Sequence, residues 1–128
     1  METKVKILIV DDDQEMLRLL QDVLVREGYA VSLTQDGSEA LIKLRGEPYD
    51  FIILDNVMPG LNGLELLPGI KVLQPDANVI LITAFGDRET ALAAMGKGAT
   101  AYLAKPFGMS VLIQMIKKTL EQRASAAS

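Results

Sequence analysis

Five short apolar runs recur along the chain roughly every twenty to twenty-five residues, and the stretch between each pair is long enough for an amphipathic helix. They are Val5 to Val10, Ala30 to Thr34, Phe51 to Leu54, Val79 to Ile82 and Ala101 to Ala104. Strands alternating with helix-length segments read as βα units, hence a parallel sheet with right-handed crossovers. The runs ILIV, FIIL and VILI are continuously apolar and rich in β-branched residues, as strands buried on both faces must be, which places them in the centre of the sheet. Tyr29 to Thr34 alternates and Ala101 to Ala104 is short and small, so both suit the edges. The order 2-1-3-4-5 satisfies this pattern and defines an α/β, doubly wound architecture.

Helix punctuation agrees. Gly28 follows the first amphipathic stretch, Gly46 with Pro48 closes the second, Pro75 closes the third and Gly98 ends the fourth, which runs from Asp87 to Lys97. Asp36 or Ser38 is placed to cap the second helix, and Asp12 or Asp13 to cap the first. In the last helix Met109, Leu112, Ile113, Ile116 and Leu120 form a stripe expected to face the sheet. Residues 1–122 are read as one domain. The remainder, 123–128, lacks an apolar anchor and reads as a flexible tail or the start of a linker.

Composition narrows the chemistry. The chain has 128 residues, no cysteine and no histidine, which removes disulfides, thiolate nucleophiles, Cys-based zinc sites and any His-dependent triad. Reactions here must run on carboxylates, lysine and hydroxyls. A net charge of −4 argues against a nucleic-acid-binding face. No apolar run approaches the ~20 residues needed to cross a bilayer, so a soluble, cytoplasmic protein without membrane contact is expected.

In open parallel sheets ligands bind beyond the carboxyl ends of the strands, where strand order reverses, here between strands 1 and 3. Asp11, Asp12 and Asp13 follow strand 1, Asp55 ends strand 3, Thr83 ends strand 4 and Lys105 follows strand 5. Any one of these has a structural explanation: an acid can cap a helix, a threonine can end a strand, a lysine can sit in solvent. Their coincidence at one edge points to a site. Clustered carboxylates repel unless a cation neutralises them, and an oxygen-rich set with retained waters suits Mg²⁺. With Lys105 and Thr83 available for phosphoryl oxygens, the nucleophile would be a carboxylate that forms an aspartyl-phosphate.

The segments Leu8 to Asp12, Ile53 to Gly60 followed by Gly63, Ile82 to Ala84, and Lys105 to Phe107 resemble the CheY-like receiver family of two-component signalling, over Val5 to about Gln122. The resemblance implies a flavodoxin-like (βα)5 three-layer sandwich. It implies Asp55 as phosphoacceptor, with Asp11, Asp12, Asp55 and the backbone carbonyl of Val57 around Mg²⁺. Thr83, Ala84 and Lys105 would bind the phosphoryl group, the Lys105–Pro106 peptide would be cis, and Thr83 with Tyr102 would form the switch. The donor would be a phosphohistidine on a sensor kinase or phosphotransfer protein. The chain would then be a signalling switch, not a turnover enzyme.

Four features of the chain bear on this reading. Asn56 stands where many members of the family carry an apolar residue, and exposure at the loop is expected of it. Val57 and Phe85 lie at the two positions that in this family influence attack by water on the phosphoryl group; both are apolar, which implies a long-lived phosphoaspartate. Met16 and Leu19 lie one turn apart on the first helix near the acids and are read as a docking patch for the kinase. The fourth helix, with Val111 and Met115 off the core stripe of the fifth, gives a face beside Tyr102 suited to a partner or a second copy. A competing reading is a haloacid-dehalogenase-like, Mg²⁺-dependent phosphatase with Asp11 as nucleophile, but it lacks a second acidic pair and leaves Asp55 unexplained. A flavodoxin-type cofactor site lacks its Ser/Thr/Gly-rich phosphate loop.

Overall fold

The computed structural model describes residues 4–127; Met1 to Thr3 and Ser128, which belong to the expected domain start and tail, lie outside the described residues. Strands β1 (Lys6–Val10), β2 (Ala30–Thr34), β3 (Phe51–Asp55), β4 (Asn78–Thr83) and β5 (Ala101–Ala104) alternate with helices α1 (Gln14–Arg26), α2 (Gly37–Gly46), α3 (Gly63–Leu73), α4 (Arg88–Gly96) and α5 (Met109–Ala127). Every strand pairing is parallel and the order is β2-β1-β3-β4-β5. This is the doubly wound (βα)5 fold that the spacing of the apolar runs predicts.

The central strands are apolar on both faces because both faces are covered. Leu8, Val10, Ile52, Leu54, Val79 and Leu81 bury against α2, α3 and α4, where Ala40, Leu67, Ile70 and Ala94 meet them. The intervening residues Ile7, Ile9, Phe51, Ile53, Ile80 and Ile82 bury against α1 and α5 through Leu17, Leu20, Leu24, Leu112 and Ile116. Two cores thus flank one sheet, a three-layer sandwich.

Caps fix where each helix begins, and hence how its preceding loop leaves the sheet. Asp13 caps α1, its Oδ1 accepting the Glu15 and Met16 amides at 3.0 and 3.4 Å. Asp36 caps α2 by accepting from Glu39 N at 2.8 Å. Asp87 does the same for α4 through Thr90 N. Gly28 and Gly98 adopt φ of +95° and +102° just after α1 and α4, a conformation in which a Cβ is strained.

At the amino-terminal edge of the sheet, Gln74 joins three segments. Its Nε2 donates to Leu44 O and Glu47 O at 2.8 and 2.7 Å, and its Oε1 accepts from Tyr49 N at 2.8 Å. Arg123 of α5 reaches Asp50 at the same end, 3.3 Å away.

Helix α5 continues through Ala127, into the segment read as a flexible tail or the start of a linker; alanine is the strongest helix former and extends a helix without an apolar anchor. One expectation is corrected. Met115, read as lying off the core stripe, packs partly against the α1/α5 core; Val111 is 49% exposed, as expected.

Candidate functional site

Four strand ends converge on the carboxyl edge of the sheet. Asp55 is the last residue of β3 and is 3% exposed; its backbone lies between β1 and β4, so the side chain is held at the reversal of strand order. Asp11, first after β1, is 1% exposed, whereas Asp12 beside it is exposed. Carboxylate oxygens of Asp11, Asp12 and Asp55 all lie within 4.8 Å of one another. Lys105 follows β5 and sends Nζ to 3.4 Å from Asp55 Oδ2. Its backbone N–H is tied to Thr83 O at 2.9 Å, so the ends of β4 and β5 share one anchor. The Lys105–Pro106 peptide is cis, as the resemblance implies.

The electrostatics of this cluster are unbalanced. Asp11 Oδ1 accepts the Asp13 N–H at 2.9 Å, but Oδ2 is buried without a hydrogen-bond partner. Asp11 is pushed up from 3.8 to about 6, first by burial; the Asp13 N–H opposes this, the Asp55 charge adds to it and the Lys105 ammonium opposes it. A buried acceptor facing other carboxylates is an expensive arrangement unless a cation meets it. The donor set is all oxygen, it carries up to three negative charges and it opens to solvent at Asp12. A hard divalent ion such as Mg²⁺ fits it.

Thr83 is buried at the end of β4, while Ala84 after it is exposed. Val57 and Phe85 are 63% and 85% exposed in the loops after β3 and β4. Tyr102, on the edge strand β5, is 44% exposed. Of the two docking candidates, Leu19 is 48% exposed, whereas Met16 packs partly against the core. The expected patch is therefore unequal: Leu19 is the accessible member, and Met16 is turned partly into the core.

Asp13 is the α1 cap and stays outside the acid cluster, but its amide steadies Asp11. Asn56, expected to be exposed at the loop, is half-buried and bonded on three sides. Its N–H donates to Ile82 O at 2.9 Å, its carbonyl accepts from Gly63 N at 3.1 Å and its Oδ1 accepts from Leu64 N at 2.9 Å. The contact to Leu64 spans eight residues and follows no helical or strand period, so no sequence pattern announced it.

The chain belongs to the response regulator receiver domain family, whose model matches residues 7–117. It is 39% identical to the transcriptional regulatory protein GlrR of Escherichia coli over 120 residues, 94% of this chain. That match covers 27% of the E. coli protein, so the chain spans about a quarter of that relative's length. A CheY-like response regulator receiver domain protein from Methanospirillum hungatei superposes with a TM-score of 0.91 at 31% identity, covering 97% of this chain and 99% of that one. A response regulator from Burkholderia pseudomallei, solved with a phosphorylated aspartic acid, a calcium ion and citrate, matches with a TM-score of 0.82 at 33% identity, over 97% of this chain and 74% of that one. The chain is thus the receiver domain of a two-component response regulator, a signalling domain. The phosphatase alternative gains no support from these matches. Among the described residues no helix is long and apolar enough to cross a membrane.

Proposed function

We propose that Asp55 accepts a phosphoryl group from a phosphohistidine on a sensor histidine kinase or phosphotransfer protein. Supporting this most directly is one observation: a buried strand-end carboxylate stands 3.4 Å from a lysine ammonium and shares its pocket with two further carboxylates. An Asp55 oxygen attacks phosphorus, the P–N bond to the donor imidazole breaks, and the imidazole departs neutral after protonation. Asp11, Asp12, Asp55 and the backbone carbonyl of Val57 are the residues that would hold Mg²⁺. Bound there, the ion supplies positive charge for the carboxylates and the incoming phosphoryl oxygens. Lys105 adds a second positive charge, while Thr83 and the backbone at Ala84 supply donors. The phosphorylated aspartic acid and calcium ion in the Burkholderia relative support both parts of this reading.

The output follows as a population shift. Contacts to the phosphoryl group made only in the active arrangement draw the Thr83 hydroxyl toward it, Tyr102 turns inward, and the α4/β5/α5 surface changes. That surface is proposed to recruit a partner or a second copy, and Leu19 with Met16 to meet the kinase. The domain works in the cytoplasm without binding nucleic acid itself, and its only catalysis is its own phosphorylation and slow dephosphorylation. Acetyl phosphate with Mg²⁺, followed by peptide mass spectrometry, tests the acceptor. The expected result is a single phosphoryl adduct on Asp55 that Asp55→Ala abolishes; labelling at Asp11, or labelling that survives Asp55→Ala, would refute it.

A further inference from the structure

Four backbone amides open helix α3, and each has a partner. Asn62 N donates to Glu65 Oε1 at 3.2 Å and Glu65 N to Asn62 Oδ1 at 2.8 Å, a local capping box. The other two go elsewhere: Gly63 N to the Asn56 carbonyl and Leu64 N to Asn56 Oδ1. A helix normally satisfies these orphan donors with its own cap or with water. Here half of them are met by the residue that follows the phosphoacceptor. Because the donor is a backbone N–H, the atom facing it must be the amide oxygen, which fixes the orientation of the Asn56 side chain.

The attachment is close as well as polar. A Cβ added at Gly63 would lie 2.7 Å from the Asp55 carbonyl and 3.0 Å from Asn56 Cα, so the first turn of α3 rests directly on the end of β3. Asn56 also donates to Ile82 O of β4. One residue therefore ties β3, β4 and α3 together, and the loop it closes carries Val57, whose N–H turns back to Asp55 Oδ1 at 3.3 Å.

We propose that Asn56 is a positioning residue: through its bond to the Leu64 amide it holds the loop after β3 closed, and so sets how tightly the acid pocket binds Mg²⁺. The proposal rests on the function proposed above, in which the Val57 carbonyl joins the three carboxylates around the ion. An apolar side chain at this position would leave the end of β3 tied to α3 by the Gly63 N–H to Asn56 carbonyl bond without the side-chain tie to Leu64. Open and closed loops would then exchange more readily, and the ion would bind only the closed fraction.

Residue-resolved amide exchange by NMR and Mg²⁺ titration test this on the unaltered chain and on Asn56→Leu, Asn56→Asp and Asn62→Ala. By reciprocal linkage, saturating Mg²⁺ should slow Leu64 amide exchange in the unaltered chain by about tenfold. Asn56→Leu should speed that exchange roughly tenfold and weaken Mg²⁺ binding about three- to tenfold, while the Asp55 labelling rate at saturating Mg²⁺ stays within about twofold. Asn56→Asp keeps an acceptor for Leu64 and should restore slow exchange. Asn62→Ala removes the neighbouring cap; it should lower Tm but leave Mg²⁺ affinity within about twofold.

Leu64 exchange that ignores Mg²⁺ in the unaltered chain, unchanged Mg²⁺ affinity in Asn56→Leu, or equal weakening in Asn62→Ala would each overturn the proposal. If Asn56→Leu does not fold, the first of these decides the matter alone. Unaltered chain that takes no label on Asp55 would bring down the function and this role with it. Normal labelling together with unaltered affinity in Asn56→Leu would remove only the role of Asn56.

Discussion

Lys105 Nζ lies 3.4 Å from Asp55 Oδ2, although fifty positions of sequence separate the two residues. The lysine is about one-third exposed and the aspartate is buried, so the pair joins a solvated cation to a sequestered anion. A partly exposed ion pair contributes little stability, and on the proposed function the charge would serve an incoming phosphoryl group instead. Replacing Lys105 by alanine should therefore slow labelling of Asp55 by acetyl phosphate roughly a hundredfold while Tm moves by only a few degrees. Initial rates from intact-mass spectra, set beside a melting curve, check both parts.

Acidity should govern the metal-free domain through Asp11. Its folded pKa of about 6 lies above the ordinary 3.8, so the folded state binds this proton more tightly than the unfolded chain does. The stabilisation is fully present below the ordinary value and is lost as pH rises through about 6. The Asp11 contribution to Tm without Mg²⁺ should thus be larger near about pH 5 than near about pH 7.5, and Asp11→Asn should reduce that difference. Because the ion and the proton compete, Mg²⁺ affinity should fall as pH drops through about 6. Calorimetric titrations at several pH values read this directly.

Val57 and Phe85 are exposed beside the pocket, and neither can orient a water. The phosphorylated domain should persist for minutes or longer. Val57→Asn or Phe85→Glu should shorten that lifetime by roughly tenfold, since a positioned polar group can guide or deprotonate the attacking water. Loss of phosphoprotein on Phos-tag gels after removal of the donor provides the measurement.

Leu19 and Leu20 are neighbours with opposite environments, 48% and 0% exposed. Leu19→Glu should leave Tm and acetyl phosphate labelling intact but impair phosphotransfer from a cognate kinase about tenfold or more. Leu20→Ala should instead destabilise the fold by about 2–5 kcal/mol. Chemical denaturation and a phosphotransfer assay separate the two effects.

Gly63 should not tolerate a methyl group. A Cβ there would lie 2.7 Å from the Asp55 carbonyl and 3.0 Å from Asn56 Cα, both backbone atoms with no flexible end to yield. Gly63→Ala should destabilise by about 1–3 kcal/mol, measured by urea unfolding, and should loosen the site because the displaced atoms belong to β3.

The architecture was legible because burial on both faces writes itself as uninterrupted β-branched runs, and the strand order follows from which runs are apolar throughout. The candidate site was legible for a related reason: β3 ends on Asp55 and Lys105 directly follows β5, and the sheet brings strand ends together whatever the intervening sequence. A helix start requires a cap, which narrowed that role to Asp12 or Asp13; the structure gives it to Asp13. Asn56 escaped this logic, since its partner Leu64 is set by the course of a loop. The half-burial of Met16 and Met115 escaped it too. A helical stripe tells which way a side chain points but not how far a neighbouring element overhangs it, and a flexible thioether at the margin fills whatever gap remains. Where α5 ends was not legible, because alanine needs no tertiary contact to continue a helix.

Gln74 gives the domain two unequal rims. With one side chain stapling the ends of α2 and α3 to the start of β3, the edge remote from Asp55 is braced like a hinge plate. On the function proposed above, a rearrangement begun at Asp55 would be free to travel sideways toward β5 and α4 but would meet a fixed stop lengthwise, so the message would be steered by where the scaffold refuses to bend.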